Sequence, residues 1–380
     1  MRWFPSYCWQ SATRRTPRGD VHLIFALADH FEPSIIPGQG PARAPREEQE
    51  RRLERWCRLY PKLAEPWRDH EGRPFVHTYF YPAEQYERDL MEQLAAHCRD
   101  GYGEIEVHLH HGVSQPDTPE NTARTLTEFR DTLAFDHGCL SAFEDDPFPR
   151  YAFVHGNFAL ANSNGGRGCG VDSEIEVLAA TGCYADMTLP AGIFHRAQTA
   201  KINSLYECSP PLGRKGAHRS GSALTKGRQP RVFPLMVQGP LLWDLAPRGG
   251  RRLGLETAAL TASEPPSVRR LHLWKRAGIS VQGCPDWLFI KLHCHGMDPT
   301  QEEANLGHSM QQFLRELVQG APERREILHF VCAREMVNIM LAACDGREGN
   351  PGDYRDYRLK PFRMRAQAQS RESSGVGARR

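Results

Sequence analysis

The alternation of short apolar runs with longer amphipathic stretches predicts an α/β fold: a single (β/α) barrel, with the strand count also allowing a seven-stranded or distorted outline. Strand–helix alternation implies βα units and a parallel sheet, and about eight strand candidates fit a closed or nearly closed barrel better than an open sheet. The first strand is expected at 21–28, where Val-His-Leu-Ile-Phe-Ala-Leu-Ala is almost wholly apolar. Others follow at 75–79, 105–110, 151–154, 185–189, 232–238, 288–293 and 327–331. Helical patterns fill the intervals at 46–63, 83–99, 119–135, 172–181, 263–277, 300–319 and 333–343. The segment 1–20 reads as an N-terminal extension, 21–362 as the barrel and 363–380 as a disordered tail poor in apolar residues. Two stretches read as surface insertions able to overhang a site: 161–170, rich in Asn and Gly, and 209–230, rich in Gly, Ser, Lys, Arg and Pro.

Composition excludes some functions. Lys and Arg total 48 against 46 Asp and Glu, a net charge of +2, so no electrostatic footprint for nucleic acid is present. No apolar run reaches signal-peptide or membrane-span length, which sets the expectation of a cytoplasmic protein without a membrane partner. Eleven cysteines without CxxC spacing read as free thiols, mostly small buried apolar groups. No P-loop, dinucleotide-binding glycine motif or Gly-x-Ser-x-Gly elbow occurs.

The chemistry-bearing residues collect at strand ends. In Glu104-Ile-Glu-Val-His108-Leu-His110-His111-Gly112, residues two apart on a strand share a face, so His108 and His110 project together. Two imidazoles on one face at a strand's carboxyl end suit a divalent metal, zinc first, with cobalt, nickel or manganese as alternatives. His111 points away unless the chain turns at Gly112. In Phe25-Ala-Leu-Ala-Asp29-His30 an apolar strand ends in an acid and a histidine; Asp29 suits a metal ligand or general base, or a cap on the following turn. Leu288-Phe-Ile-Lys-Leu-His293-Cys-His295 repeats the His-x-His ending, and His293 or His295 suits a further ligand or a general acid. His155 and Asn157, after the strand at 151–154, are candidates for substrate contact, as are Lys201 and Asn203 less directly. Asp172 reads best as a helix cap.

In its order of motifs the chain resembles the polysaccharide deacetylase-like branch of the glycoside hydrolase/deacetylase β/α-barrel superfamily. The resemblance rests on Asp29, on His108 to His111, on Val154-His-Gly-Asn-Phe-Ala-Leu160, Cys169-Gly-Val-Asp-Ser-Glu174, Thr181-Gly-Cys-Tyr-Ala-Asp186, Lys201-Ile-Asn-Ser-Leu-Tyr206, Phe289-Ile-Lys-Leu-His293 and Tyr354-Arg-Asp-Tyr357. It implies a metal-dependent hydrolase cleaving an amide or ester bond on a carbohydrate or glycan precursor. It further implies Asp29 as the carboxylate, His108 with His110 or His111 as metal histidines, and His293 or His295 as acid. Where that branch carries two adjacent acids, this chain has Asp29-His30, which makes His30 a further candidate ligand. Two other readings compete: an amidohydrolase-like or phosphoesterase-like barrel with two metals, and a non-catalytic barrel that binds a metal or a sugar.

Overall fold

The computed structural model describes residues 2–14, 19–40, 42–192, 194–245 and 254–362; the tail expected at 363–380 lies outside them. All eight expected strands are present: β1 (Val21–His30), β2 (His77–Pro82), β3 (Gly103–Leu109), β4 (Asp146–His155), β5 (Cys183–Asp186), β6 (Leu235–Val237), β7 (Trp287–Cys294) and β8 (Glu326–Phe330). They form the parallel part of a large mixed sheet ordered β7-β1-β2-β3-β4-β5-β6. One edge of β1 pairs with β7 throughout; the other is shared, with β8 alongside residues 21–25 and β2 alongside 28–30.

The expected closed barrel is corrected to a curled sheet, because the edges needed for closure are taken. The free edge of β6 pairs antiparallel with the short strand Leu205–Cys208. That of β7 pairs with the segment 258–260, where Leu260 N–H donates to the His293 carbonyl (2.8 Å) and His293 N–H to the Ala258 carbonyl (3.0 Å). Curvature nonetheless brings distant strands together. Lys291 on β7 donates from Nζ to the carbonyls of Met187 (2.8 Å) and Leu189 (2.7 Å), just past β5, although four strands separate β7 from β5 in the sheet. Burial pulls its pKa down to about 7.

Alternation along the strands divides the core in two. Leu23, Phe25 and Leu27 of β1, Ile105, Val107 and Leu109 of β3, and Leu288, Ile290, Leu292 and Cys294 of β7 join the outer cluster. Residues from α2 (Arg46–Ala64), α3 (Arg88–His97), α4 (Pro119–Asp131), α5 (Glu174–Thr181) and α8 (His308–Gly320) cover it. Ile24, Ala26, Ala28, Phe80, Ala152, Val154 and Phe289 belong to the inner cluster, packed against α9 (Ala333–Cys344). Every residue of α9 is buried, and the helix is tied down where Ala333 N–H donates to the Thr78 hydroxyl and Arg334 to Glu104. Thr78 and Glu104 are register partners early in β2 and β3. The concave face is therefore filled from the amino ends of the strands, which leaves the carboxyl ends for other residues.

The expected helices are present with local differences. The 83–99 pattern splits into a short turn and α3 because the backbone is extended at Tyr86 and Glu87. The 300–319 pattern breaks at Leu306–Gly307 into α7 (Glu302–Asn305) and α8. Inside the 1–20 extension, α1 (Phe4–Thr13) docks through buried Trp3, which packs with Ile202 and Leu241. Val268–Ala277, α6, is capped by the Ser267 side chain. All eleven cysteines are free, and no described helix is long and apolar enough to cross a membrane.

Lys291→Met removes the donor for two buried carbonyls. We predict a loss of about 3 kcal/mol in urea unfolding; a change under about 0.5 kcal/mol would show that the curl does not need this tie.

Candidate metal centre

At the carboxyl ends of β1, β3 and β7 the inner face carries histidines instead of alkyl groups. The His30 ring lies 4.9 Å from that of His108, 4.7 Å from His295 and 6.2 Å from His293. Two residues beyond His30, on the same parity, Glu32 turns its carboxylate into the group. Its Oε1 is 3.3 Å from Nε2 of His108 and 3.0 Å from Nε2 of His110, and its Oε2 is 3.4 Å from Nδ1 of His295. One donor atom each from Glu32, His108 and His110 lies within 4.8 Å of the others.

Tautomers decide what this arrangement accepts. Nδ1 of His108 sits 2.8 Å from the Val154 carbonyl; a carbonyl only accepts, so Nδ1 carries the proton. Burial lowers the His108 pKa despite the neighbouring Glu32, so Nε2 presents a lone pair toward a carboxylate oxygen. Two acceptors face each other with nothing positive between them, the electrostatic signature of a cation site. His110 donates from Nδ1 to Glu84 Oε1 at 2.7 Å, the carboxylate–histidine arrangement that orients metal-binding imidazoles. Burial alone would lower the His110 pKa, but Glu32 and Glu84 together raise it to about 10. The neighbouring histidines likewise hold the Glu32 pKa well below its usual range against the upward push of burial. Nδ1 of His30 is buried without a hydrogen-bond partner, leaving it available as a further ligand. The residues present thus fit a divalent ion of zinc type, with a mixed nitrogen and carboxylate donor set.

Backbone close approach fixes His110. A Cβ on Gly156 would lie 2.2 Å from Cδ2 of its ring, so only glycine there lets the imidazole swing toward Glu32. A cavity of about 280 Å³ lined by Glu84, His110 and Gln115 opens beside it.

Two other acid–histidine groups sit on the outer face. Asp29 was expected as ligand or base beside His30; adjacent residues on a strand point to opposite faces, so it lies away from the Glu32 group, with His77 and Cys294 bringing donor atoms within 4.8 Å of its own. Asp29 is buried and accepts from Nδ1 of His77 (3.0 Å) and from the Gly296 backbone N–H (2.6 Å). It therefore anchors the turn after His295 from behind. The second group joins His111, His155, Cys169 and Glu174. His111 bridges Asp117 Oδ2 (2.9 Å) and Glu174 Oε1 (2.8 Å), and these carboxylates raise its pKa strongly although burial opposes them. The Asn157 backbone N–H donates to Nδ1 of His155 (3.1 Å), so the neutral ring keeps its hydrogen on Nε2, facing Glu174 at 3.5 Å. His111 thus neutralises its two carboxylates, while Nε2 of His155 is buried without a hydrogen-bond partner.

The remaining expected contact residues differ in their settings. His155 is fully buried on the outer face and cannot meet a substrate. Asn203 spends its amide on the Leu241 backbone and Gln10, tying two loops and α1. Lys201 lies over the Tyr206 ring, and its described contacts do not include the histidine group. Asn157 donates from its backbone N–H to His155, and its side-chain Nδ2, packed against Gly168, is buried without a hydrogen-bond partner. Sequence reasoning missed Glu32 and Glu84. Glu32 was legible, because the i, i+2 rule that pairs His108 with His110 pairs His30 with Glu32; Glu84 sits on an irregular turn and carried no such signal.

No family model matches the chain, and no curated protein matches it. Among solved structures, a similar chain is an alpha-mannosidase from Enterococcus faecalis V583, with 11% identity and a TM-score of 0.35. The alignment covers 87% of this chain and 30% of that one, so the chain spans about a third of its length. A likeness this weak decides neither fold nor chemistry.

We predict that Glu32→Ala, His110→Ala and Gly156→Ala each abolish bound metal in elemental analysis, whereas Asp29→Asn retains it. Full metal in the first three, or its loss in the last, would move the site to the outer face. His111→Ala should keep the metal but cost about 3–5 kcal/mol in stability by stranding buried carboxylates; unchanged stability would refute the self-neutralised reading. His110 must lose its raised-pKa proton to bind metal. Apparent metal affinity should therefore climb about tenfold per pH unit between about pH 6 and about pH 8. A pH-independent affinity would remove His110 from the ligand set.

Proposed function

We propose that the protein is a metal-dependent hydrolase, deacetylase-like in character, cleaving an amide or ester bond on a carbohydrate or glycan precursor. The observation that carries the metal is the convergence of two imidazole Nε2 atoms on one carboxylate oxygen of Glu32; the carbohydrate comes from the sequence resemblance. Glu32, His108 and His110 would hold the ion, with His30 adding a ligand. A divalent ion bound there would polarise the scissile carbonyl and make a bound water nucleophilic at neutral pH.

The chain's own residues supply orientation and proton transfer. The Val154 carbonyl and Glu84 hold the His108 and His110 rings, so no reorganisation is needed on binding. His295 lies beside Glu32, which raises its pKa although burial opposes the shift; it is the candidate to give a proton to the leaving group. His293 has the opposite setting. Burial and the nearby charges of Lys291, His295 and Arg270 push its pKa well down, so it stays neutral and is a poor proton acceptor. The Asp29 bond to Gly296 fixes the turn that carries His295, which makes Asp29 a positioning residue. The bonds that hold His111 between Asp117 and Glu174 favour one ion over two.

The test is turnover by the zinc-loaded protein on p-nitrophenyl acetate and on N-acetylglucosamine oligomers. We expect about one ion per chain, and a fall of about 10²–10⁴ in kcat for His295→Ala with metal retained. No metal after reconstitution, or full activity in both His293→Ala and His295→Ala, would overturn the reading.

A further inference from the structure

Beyond the metal centre, a cleft of about 540 Å³ is lined by Arg2, His195, Arg196, Lys215 and Arg219, with the exposed ring of Phe194 at its mouth. No carboxylate lines it. Elsewhere the chain pairs many of its surface cations: Arg46 with Glu50, Arg55 with Glu302, Arg124 with Glu128. Among the described residues, Arg2, Arg196, Lys215 and Arg219 have no ion-pair partner. Arg219 donates to the backbone carbonyls of Ser163 and Arg196, yet its buried Nε–H has no acceptor. Its pKa is lowered by burial and then by the charge of Arg2. Four permanent cations crowd one cleft in a chain whose net charge is only +2, and an anion would relieve both the repulsion and the orphan donor.

The cleft is next to the metal centre. The Phe158 ring lies 6.2 Å from His195 and 6.0 Å from His30, so one aromatic ring separates them. Phe158 holds φ at 55°, a left-handed conformation costly for a bulky residue and characteristic of functional positions.

We propose that this cleft seats the phosphate of the substrate, making it a small phosphorylated sugar whose acyl group reaches Glu32, His108 and His110 past Phe158. Guanidinium forks match phosphate oxygens in pairs, and the volume suits a ligand of that size. The substrate part of this inference rests on the hydrolase reading; the anion site itself does not.

The experiment is calorimetric titration of the full chain with N-acetylglucosamine 1-phosphate and, for comparison, uncharged N-acetylglucosamine. The wild type should bind the phosphate ester at least about tenfold more tightly, with the difference shrinking as salt rises. Arg196→Ala/Lys215→Ala changes two exposed side chains; it should erase the preference with unchanged melting temperature and metal content. Arg58→Ala/Arg231→Ala, removing two exposed cations outside the cleft, should leave the preference intact. His108→Ala should still prefer the ester, which would support the cleft even if no variant or wild type hydrolysed anything. Equal binding of both sugars, a preference lost in His108→Ala but kept in Arg196→Ala/Lys215→Ala, or binding only to phosphatidic acid vesicles would each overturn the proposal.

Discussion

Along β1, β3 and β7 successive side chains point to opposite faces of a curled sheet, and that alternation sorts the polar residues at its carboxyl end. His30 and Glu32, His108 and His110, and Lys291, His293 and His295 share the inner face. Asp29, His77, Cys294, His111 and His155 belong to the outer one. The inner set converges because the sheet bends, as the Lys291 bonds to the carbonyls beyond β5 require. α9 occupies the amino-terminal part of the same face, so the histidines have the carboxyl end to themselves.

Burial gives each set its meaning. Away from water, an acid–histidine group must neutralise itself or recruit a charge. Outside, His111 sits between two carboxylates, and Asp29 between an imidazole and a backbone N–H, while Nε2 of His77 and of His155 is buried without a hydrogen-bond partner. Inside, the Val154 carbonyl takes the only hydrogen that neutral His108 can offer and turns its lone pair onto Glu32.

Much of this was legible in the sequence. Parallel strands covered on both faces read as continuous apolar runs, which is why all eight were found and why His108, His110 and His295 were found at their ends. Asp29 was misplaced because nearness in sequence outweighed parity, and Glu32 was passed over because it lies just beyond the strand. Closure of the sheet could not be read: it turns on which segments occupy the outer edges of β6 and β7, a choice made by Leu205–Cys208 and the stretch at 258–260 without any periodic pattern. Asn203 looked like a binding residue because a polar side chain next to a strand has the same sequence whether it faces a ligand or ties a loop.

The most direct measurement of the central claim is X-ray absorption at the zinc edge of the reconstituted protein. Both outer-face groups contain a cysteine, Cys169 or Cys294, and the inner group contains none. The account predicts a first shell of nitrogen and oxygen at about 2.0–2.1 Å with imidazole scattering and no sulfur. A sulfur shell at about 2.3 Å would place the ion on the outer face and contradict it.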